Sequence, residues 1–132
     1  MKIQITFGGN KKVNATINDF EIKTDQPVPS GGEGSAPDPF TVFLTSLGTC
    51  AGIFVKTFCD QRNISTENIH LEQDVEFDHV KKLVHEIVIT IIVPNDFPEK
   101  YEEAVIHAAN TCLVKRHLRD EVIFNTVVKR EA

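Results

Sequence analysis

The chain has 132 residues, 41% of them apolar and 25% charged, which suits a single globular domain spanning 1–132 with its own core. Its 14 basic and 19 acidic residues give a formal net charge of -5, and no Lys/Arg cluster marks one face, so no nucleic-acid partner is expected. The start Met1-Lys2 leads into Ile3-Gln4-Ile5-Thr6 rather than an apolar leader, and no window approaches the ~18 apolar residues of a membrane helix. The expectation is a soluble, cytoplasmic protein with no membrane partner.

Three strand-like runs open the chain, at residues 2–7, 12–18 and 20–25. Gly8-Gly9-Asn10 marks a turn between the first two and Asn18-Asp19 another, which predicts an antiparallel meander. Residues 26–39 are dense in Pro and Gly. What precedes them is too short to be a domain, so they read as an ordered loop of functional interest rather than a linker. Asp38-Pro39 predicts a helix start, with Asp38 as cap and Pro39 at the first helical position. That helix should run to about Arg62 and stop near Asn63. Its apolar residues lie nearly all round, which predicts burial on all sides, by strands or by a second subunit.

Two strands follow. Residues 68–78 alternate Ile69, Leu71, Val75 and Phe77 with His70, Glu72, Asp74, Glu76 and Asp78. Carboxylates in a straight row do not converge on an ion, so this stripe predicts a solvated sheet face and no metal site. Residues 83–93 are strongly β-branched and nearly continuous, which predicts a central strand, and residues 79–82 connect the hairpin. A second helix is expected from near Asp96 or Pro98, with Tyr101, Ala104, Val105, Ala108 and Cys112 at helical spacing. Residues 121–128 predict a closing strand. The order βββ-α-ββ-α-β is that of an α+β domain.

The cysteines number three, Cys50, Cys59 and Cys112, with no CxxC. An odd count without a leader disfavours a structural disulfide framework and leaves redox or catalytic use beside burial as small hydrophobes. Phe43, Leu47, Cys50 and Phe54 share one helix face, and Cys112 lies on the apolar face expected for the second helix. Cys59 points roughly opposite to Cys50 and ~13 Å from it along the axis, so those two cannot form a disulfide. Periodicity allows only Cys50 with Cys112. Gly48 and Gly52 flank Cys50, although a mid-helix glycine costs about 1 kcal/mol against alanine. Either backbone or ligand approaches there, or two helices pack tightly. His107 and His117 each stand about 140° from Cys112 on a helix, which argues against Cys/His hydrolytic chemistry.

The stretch PDPFTVFLTSLGTCAG, preceded by SGGEGSA and followed much later by AANTCLVKRHL, resembles the OsmC/Ohr family of osmotically inducible and organic-hydroperoxide-resistance proteins. The order of elements agrees over nearly the whole chain. The resemblance implies an intertwined homodimer with the long helix wrapped by strands of both subunits. It also implies a thiol peroxidase without cofactor or metal. Cys50 would attack the hydroperoxide, Cys112 would condense with the sulfenic acid to a disulfide, and a dithiol would reduce it. Hydroperoxide reductases of the family carry an arginine in the N-terminal turn, held by a glutamate near the start of the long helix. This sequence has Asn10 and Phe40 there. Lys11 or Lys12 is the candidate cation and Glu33 its anchor. The alternative is a non-catalytic module holding an apolar small molecule at the dimer interface against Phe40, Phe43, Leu47 and Phe54, with the cysteines inert.

Overall fold

The computed structural model describes residues 1–119 together with Ile123 and Lys129. The chain forms two compact units, Met1–Ser46 and Leu47–Ala132. The expected closing strand at 121–128 lies outside the described residues.

In the first unit, β1 (Gln4–Phe7), β2 (Val13–Ile17) and β3 (Phe20–Thr24) form the expected antiparallel meander in the order β1-β2-β3. The first turn holds Gly9 at φ 94 and Asn10 at φ 47, the left-handed conformations that Gly and Asn adopt most readily. The Pro/Gly-rich segment is an ordered loop, and Asp25 is the reason. Asp25 is fully buried, and its carboxylate accepts from the N–H groups of Gln26 (2.8 Å), Glu33 (3.3 Å) and Ser35 (3.1 Å) and from the Ser35 hydroxyl (2.6 Å). These bonds hold the Asp25 carboxyl down at about 2, the Ser35 hydroxyl contributing most. Gly32 passes so close to the Gln26 backbone that a Cβ would overlap it.

α1 (Pro39–Gln61) begins as expected, with the Asp38 Oδ1 accepting from Thr41 N at 2.7 Å. Just beyond its end at Gln61, Asn63 turns the chain with a φ of 56, while the Ile64 N–H bonds the Cys59 carbonyl at 2.9 Å. Within this chain the helix is not buried on all sides. Leu47, Ala51, Val55, Phe58 and Cys59 are buried, whereas Phe40, Phe43 and Ile53 are exposed. The helix also has the length and composition of a membrane span, contrary to the expectation that no window approaches one. Its Gly, Ser and Thr residues interrupt every apolar run without lowering the average enough to exclude it. The same composition suits the core helix of a soluble protein.

In the second unit, β4 (His70–Asp78) and β5 (Leu83–Ile92) pair antiparallel, with an irregularity between Glu76 and Phe77. On β4 the half-buried Leu71, Gln73 and Val75 alternate with exposed His70, Glu72, Asp74 and Glu76, so the acidic stripe is a solvated face. β5 is less buried than the nearly continuous apolar run suggests. It alternates too, with Leu83 and Val88 exposed, and among the described residues it pairs only with β4. The core joins Val55, Phe58 and Cys59 of α1 to Phe97 and Val105. Burying side chains of this size stabilises by about 1.5–3 kcal/mol each. Tyr101 meets Phe58 edge-on at 5.8 Å, and the Arg62 guanidinium caps the Phe58 ring at 3.6 Å.

The second helix is shorter than its pattern. α2 spans Glu102–Asn110, led by a 3-10 turn Glu99–Tyr101, and α3 is Leu113–Arg116. Thr111 ends α2, its N–H and hydroxyl both donating to the Ala108 carbonyl at 3.1 and 2.6 Å. Cys112 is therefore not on the apolar face of a continuing helix. It sits in the break, with φ -45 and ψ 124.

Candidate active site

The break after α2 places a buried thiol beside a half-buried one. Cys112 is 2% exposed and donates to the Leu47 carbonyl of α1 at 3.9 Å. Cys50, one turn further along α1, is in hydrogen-bond contact with Cys112. Both thiols are free. The structure thus brings together the pair that periodicity selected, although by a different route.

Ending a helix and starting another frees backbone N–H groups, because the first residues of a helix have no partner within it. Here those groups serve the sulfurs. The Val114 N–H favours the Cys50 thiolate most, followed by the Cys112 thiol and the Leu113 N–H, and together they outweigh burial and hold the Cys50 thiol below its ordinary value. Burial acts the other way on Cys112 and, with the proton it shares toward Cys50, pushes that thiol up despite the Lys115 and Val114 N–H groups. The two directions are opposite: hydrogen bonds favour the thiolate at Cys50, and burial favours the thiol at Cys112. Sequence reasoning looked for a cation and missed these amides. The signal available was Asn110-Thr111, two residues that favour helix ends.

Cys59 stands apart, fully buried in the core with Val55 and Phe58, its thiol pushed up by burial. Of the face shared by Phe43, Leu47, Cys50 and Phe54, only Leu47 is buried within this chain. Phe40 and Phe43 stack at 5.8 Å, exposed by 46% and 36%. The flanking glycines have separate explanations. A Cβ at Gly48 would overlap the Gln73 side-chain oxygen from β4, whereas Gly52 faces open space.

In the first unit, Lys12 Nζ meets Glu33 Oε2 at 2.7 Å, and this contact raises the Lys12 ammonium above its ordinary value. The Asp25 cage holds the backbone N–H of the same Glu33. Asn10, where the family has arginine, donates instead to the Gly31 carbonyl at 3.0 Å. Lys11 passes beside Gly31.

A cavity of about 220 Å³ adjoins Cys112, lined also by Leu47, Ala51, Ile87, Ile89, Ala109, Asn110, Lys115 and Leu118.

Comparison with known proteins gives one consistent answer. Residues 32–127 match the family model described as OsmC-like protein. A Psychrobacter arcticus 273-4 structure assigned to osmotic stress induction and detoxification response superposes with a TM-score of 0.77 at 23% identity, over 92% of this chain and 90% of that one. The OsmC-like protein of Mycoplasma pneumoniae gives 0.71 at 13% identity, over 91% and 87%. An organic hydroperoxide resistance protein of Legionella pneumophila gives 0.58 at 19% identity, over 91% and 90%. A search of curated proteins gives no match. The α+β fold and the family match over most of the chain agree: this protein belongs to the OsmC-like family.

Proposed function

We propose that the protein is a cysteine-based thiol peroxidase that reduces organic hydroperoxides in the cytoplasm. The observation that carries this reading is the contact between Cys50, whose thiolate is favoured by backbone N–H groups, and the protonated Cys112. Kinship with organic hydroperoxide resistance proteins supports the substrate class. The family match crosses the boundary between the two units, which supports reading residues 1–132 as one OsmC-like domain.

The Cys50 thiolate attacks the distal oxygen of the hydroperoxide. The O–O bond breaks, Cys50 becomes a sulfenic acid, and the alkoxide takes a proton and leaves as an alcohol. Cys112 then attacks the Cys50 sulfur, water departs, and the Cys50–Cys112 disulfide forms. A dithiol restores both thiols. Lys12, anchored by Glu33, is the candidate supporting cation, and a lysine activates less than an arginine because it lacks the planar fork.

A homodimer completes the proposal. On α1, Phe40, Phe43 and Ile53 are exposed, and on the first sheet so are Phe7 (86%) and Phe20 (73%). Apolar surface of this kind marks an interaction site. Sedimentation at micromolar concentration is expected to give a dimer.

Consumption of cumene hydroperoxide with a dithiol reductant tests the peroxidase reading. Cys50→Ser should abolish it, and Cys112→Ser should stop turnover after the sulfenic acid. Undiminished turnover by Cys50→Ser refutes the reading and leaves the non-catalytic binding module.

A further inference from the structure

The cavity beside Cys112 opens onto one sulfur of the pair. Its lining includes Cys112 and Lys115 and leaves out Cys50. Resting on the thiol-peroxidase reading, we infer that this cavity is the reductant's entrance, and that the incoming thiolate attacks the Cys112 sulfur of the Cys50–Cys112 disulfide.

Access is the first argument. Cys112 is 2% exposed, so a reagent reaches its sulfur through the cavity it lines. Charge is the second. Lys115 lines the cavity together with Cys112, while Ile87 and Ile89 of β5 supply apolar lining. A cation favours the thiolate, which is the nucleophile, over the thiol. The leaving group is the third argument. Exchange is faster when the departing sulfur is the better-stabilised anion. The N–H groups of Val114 and Leu113 stabilise the thiolate of Cys50, whereas burial opposes that of Cys112. Attack on Cys112 expels Cys50, and attack on Cys50 would expel the poorer anion.

The step balances as follows. The first thiolate of a dithiol donates its electron pair to Cys112 Sγ and forms a mixed disulfide. The Cys50–Cys112 bond breaks, and Cys50 departs with the bonding pair. The dithiol's second thiol loses its proton and attacks the dithiol sulfur of the mixed disulfide. An internal disulfide forms, and Cys112 leaves as a thiolate that takes up the proton. The dithiol loses two electrons and the cysteine pair gains them. Hydroperoxide and reductant thus enter at different sulfurs, one at Cys50 and the other through the Cys112 cavity.

The test uses Cys59→Ser protein oxidised with diamide, which links the two cysteines without a peroxide. 2-Mercaptoethanol, a monothiol that cannot close an internal disulfide, is then added, the reaction is quenched with acid, and the adduct is mapped by peptide mass. The expected adduct is on Cys112 with Cys50 free; an adduct on Cys50 overturns the inference. In a second arm, Lys115→Met is expected to slow dithiothreitol reduction of the disulfide several-fold while leaving oxidation of Cys50 by cumene hydroperoxide unchanged. Unchanged reduction removes Lys115 from the entrance. If diamide links the cysteines but hydroperoxide does not, the peroxidase reading alone fails and the mapping still decides the entry sulfur. If diamide does not link them, both fail.

Discussion

Leu113→Pro removes one backbone donor from Cys50 and little else. Leu113 is the first residue of α3, where proline is well tolerated, and Cys112 before it already has the extended conformation that precedes proline. The Leu113 side chain is 52% exposed, so its loss affects little packing. The lost N–H bond is one of two backbone donors that favour the Cys50 thiolate, and the lesser one. A hydrogen bond to a charged group contributes about 1.5–3 kcal/mol, and a half-exposed sulfur belongs at the low end. About 1.4 kcal/mol corresponds to a tenfold fall in the thiolate fraction below the titration midpoint. A more basic thiolate is also a better nucleophile, with a Brønsted slope of roughly 0.4–0.5, which returns about threefold. The net expectation is alkylation about threefold slower on the acid side of the midpoint, and a plateau about threefold higher on its alkaline side. The assay is the pH profile of iodoacetamide reaction in a Cys59→Ser, Cys112→Ser background. Leu113→Ala keeps the N–H and should leave the profile unchanged. A Leu113→Pro protein with native circular dichroism and an unaltered profile would refute the assignment of backbone amides as the activating groups.

Cys59→Ser should retain peroxidase turnover, but an added hydroxyl in the fully buried core should lower stability by about 1–3 kcal/mol, measured by urea unfolding. Asp25 has a folded-state carboxyl lowered to about 2, so its contribution to stability is complete above the unfolded value of roughly 3.9 and is lost as pH falls through 2. Asp25→Ala should abolish that acid-side dependence and increase proteolysis between residues 26 and 37, and unchanged proteolysis would show that the loop does not depend on the cage. Gly52→Ala, into open space, should stabilise α1 by about 1 kcal/mol. Gly48→Ala should gain less, because the Gln73 amide must turn away, and Gln73→Ala should restore the difference in thermal unfolding.

The meander, the α1 start and the acidic face of β4 were legible because each rests on local signals: Gly9-Asn10 for the turn, Asp38-Pro39 for the cap, and period-two alternation for the strand. The site was legible only in part. The pairing of Cys50 with Cys112 came through, but the spacing Tyr101, Ala104, Val105, Ala108 continued numerically to Cys112 and concealed the break at Thr111. Periodicity records which positions are apolar and not where a side chain caps a carbonyl. Asp25 read as the last residue of a strand, because a carboxylate's partners in a following loop leave no periodic trace. Gln73 was a visible irregularity, an amide on the Leu71–Val75 side of β4, and it answers the question raised by Gly48. The cover of α1 was legible only as a need, because composition shows that a helix needs cover and not which chain supplies it.

The central claim is that Cys50 and Cys112 form a redox pair driven by an organic hydroperoxide. The most direct measurement treats reduced Cys59→Ser protein with one equivalent of cumene hydroperoxide, blocks remaining thiols, and determines intact and peptide mass. The account predicts loss of two hydrogens, no thiol left to block, and a Cys50–Cys112 linked peptide that disappears on adding dithiothreitol. Two blocked thiols and an unchanged hydroperoxide concentration would contradict it.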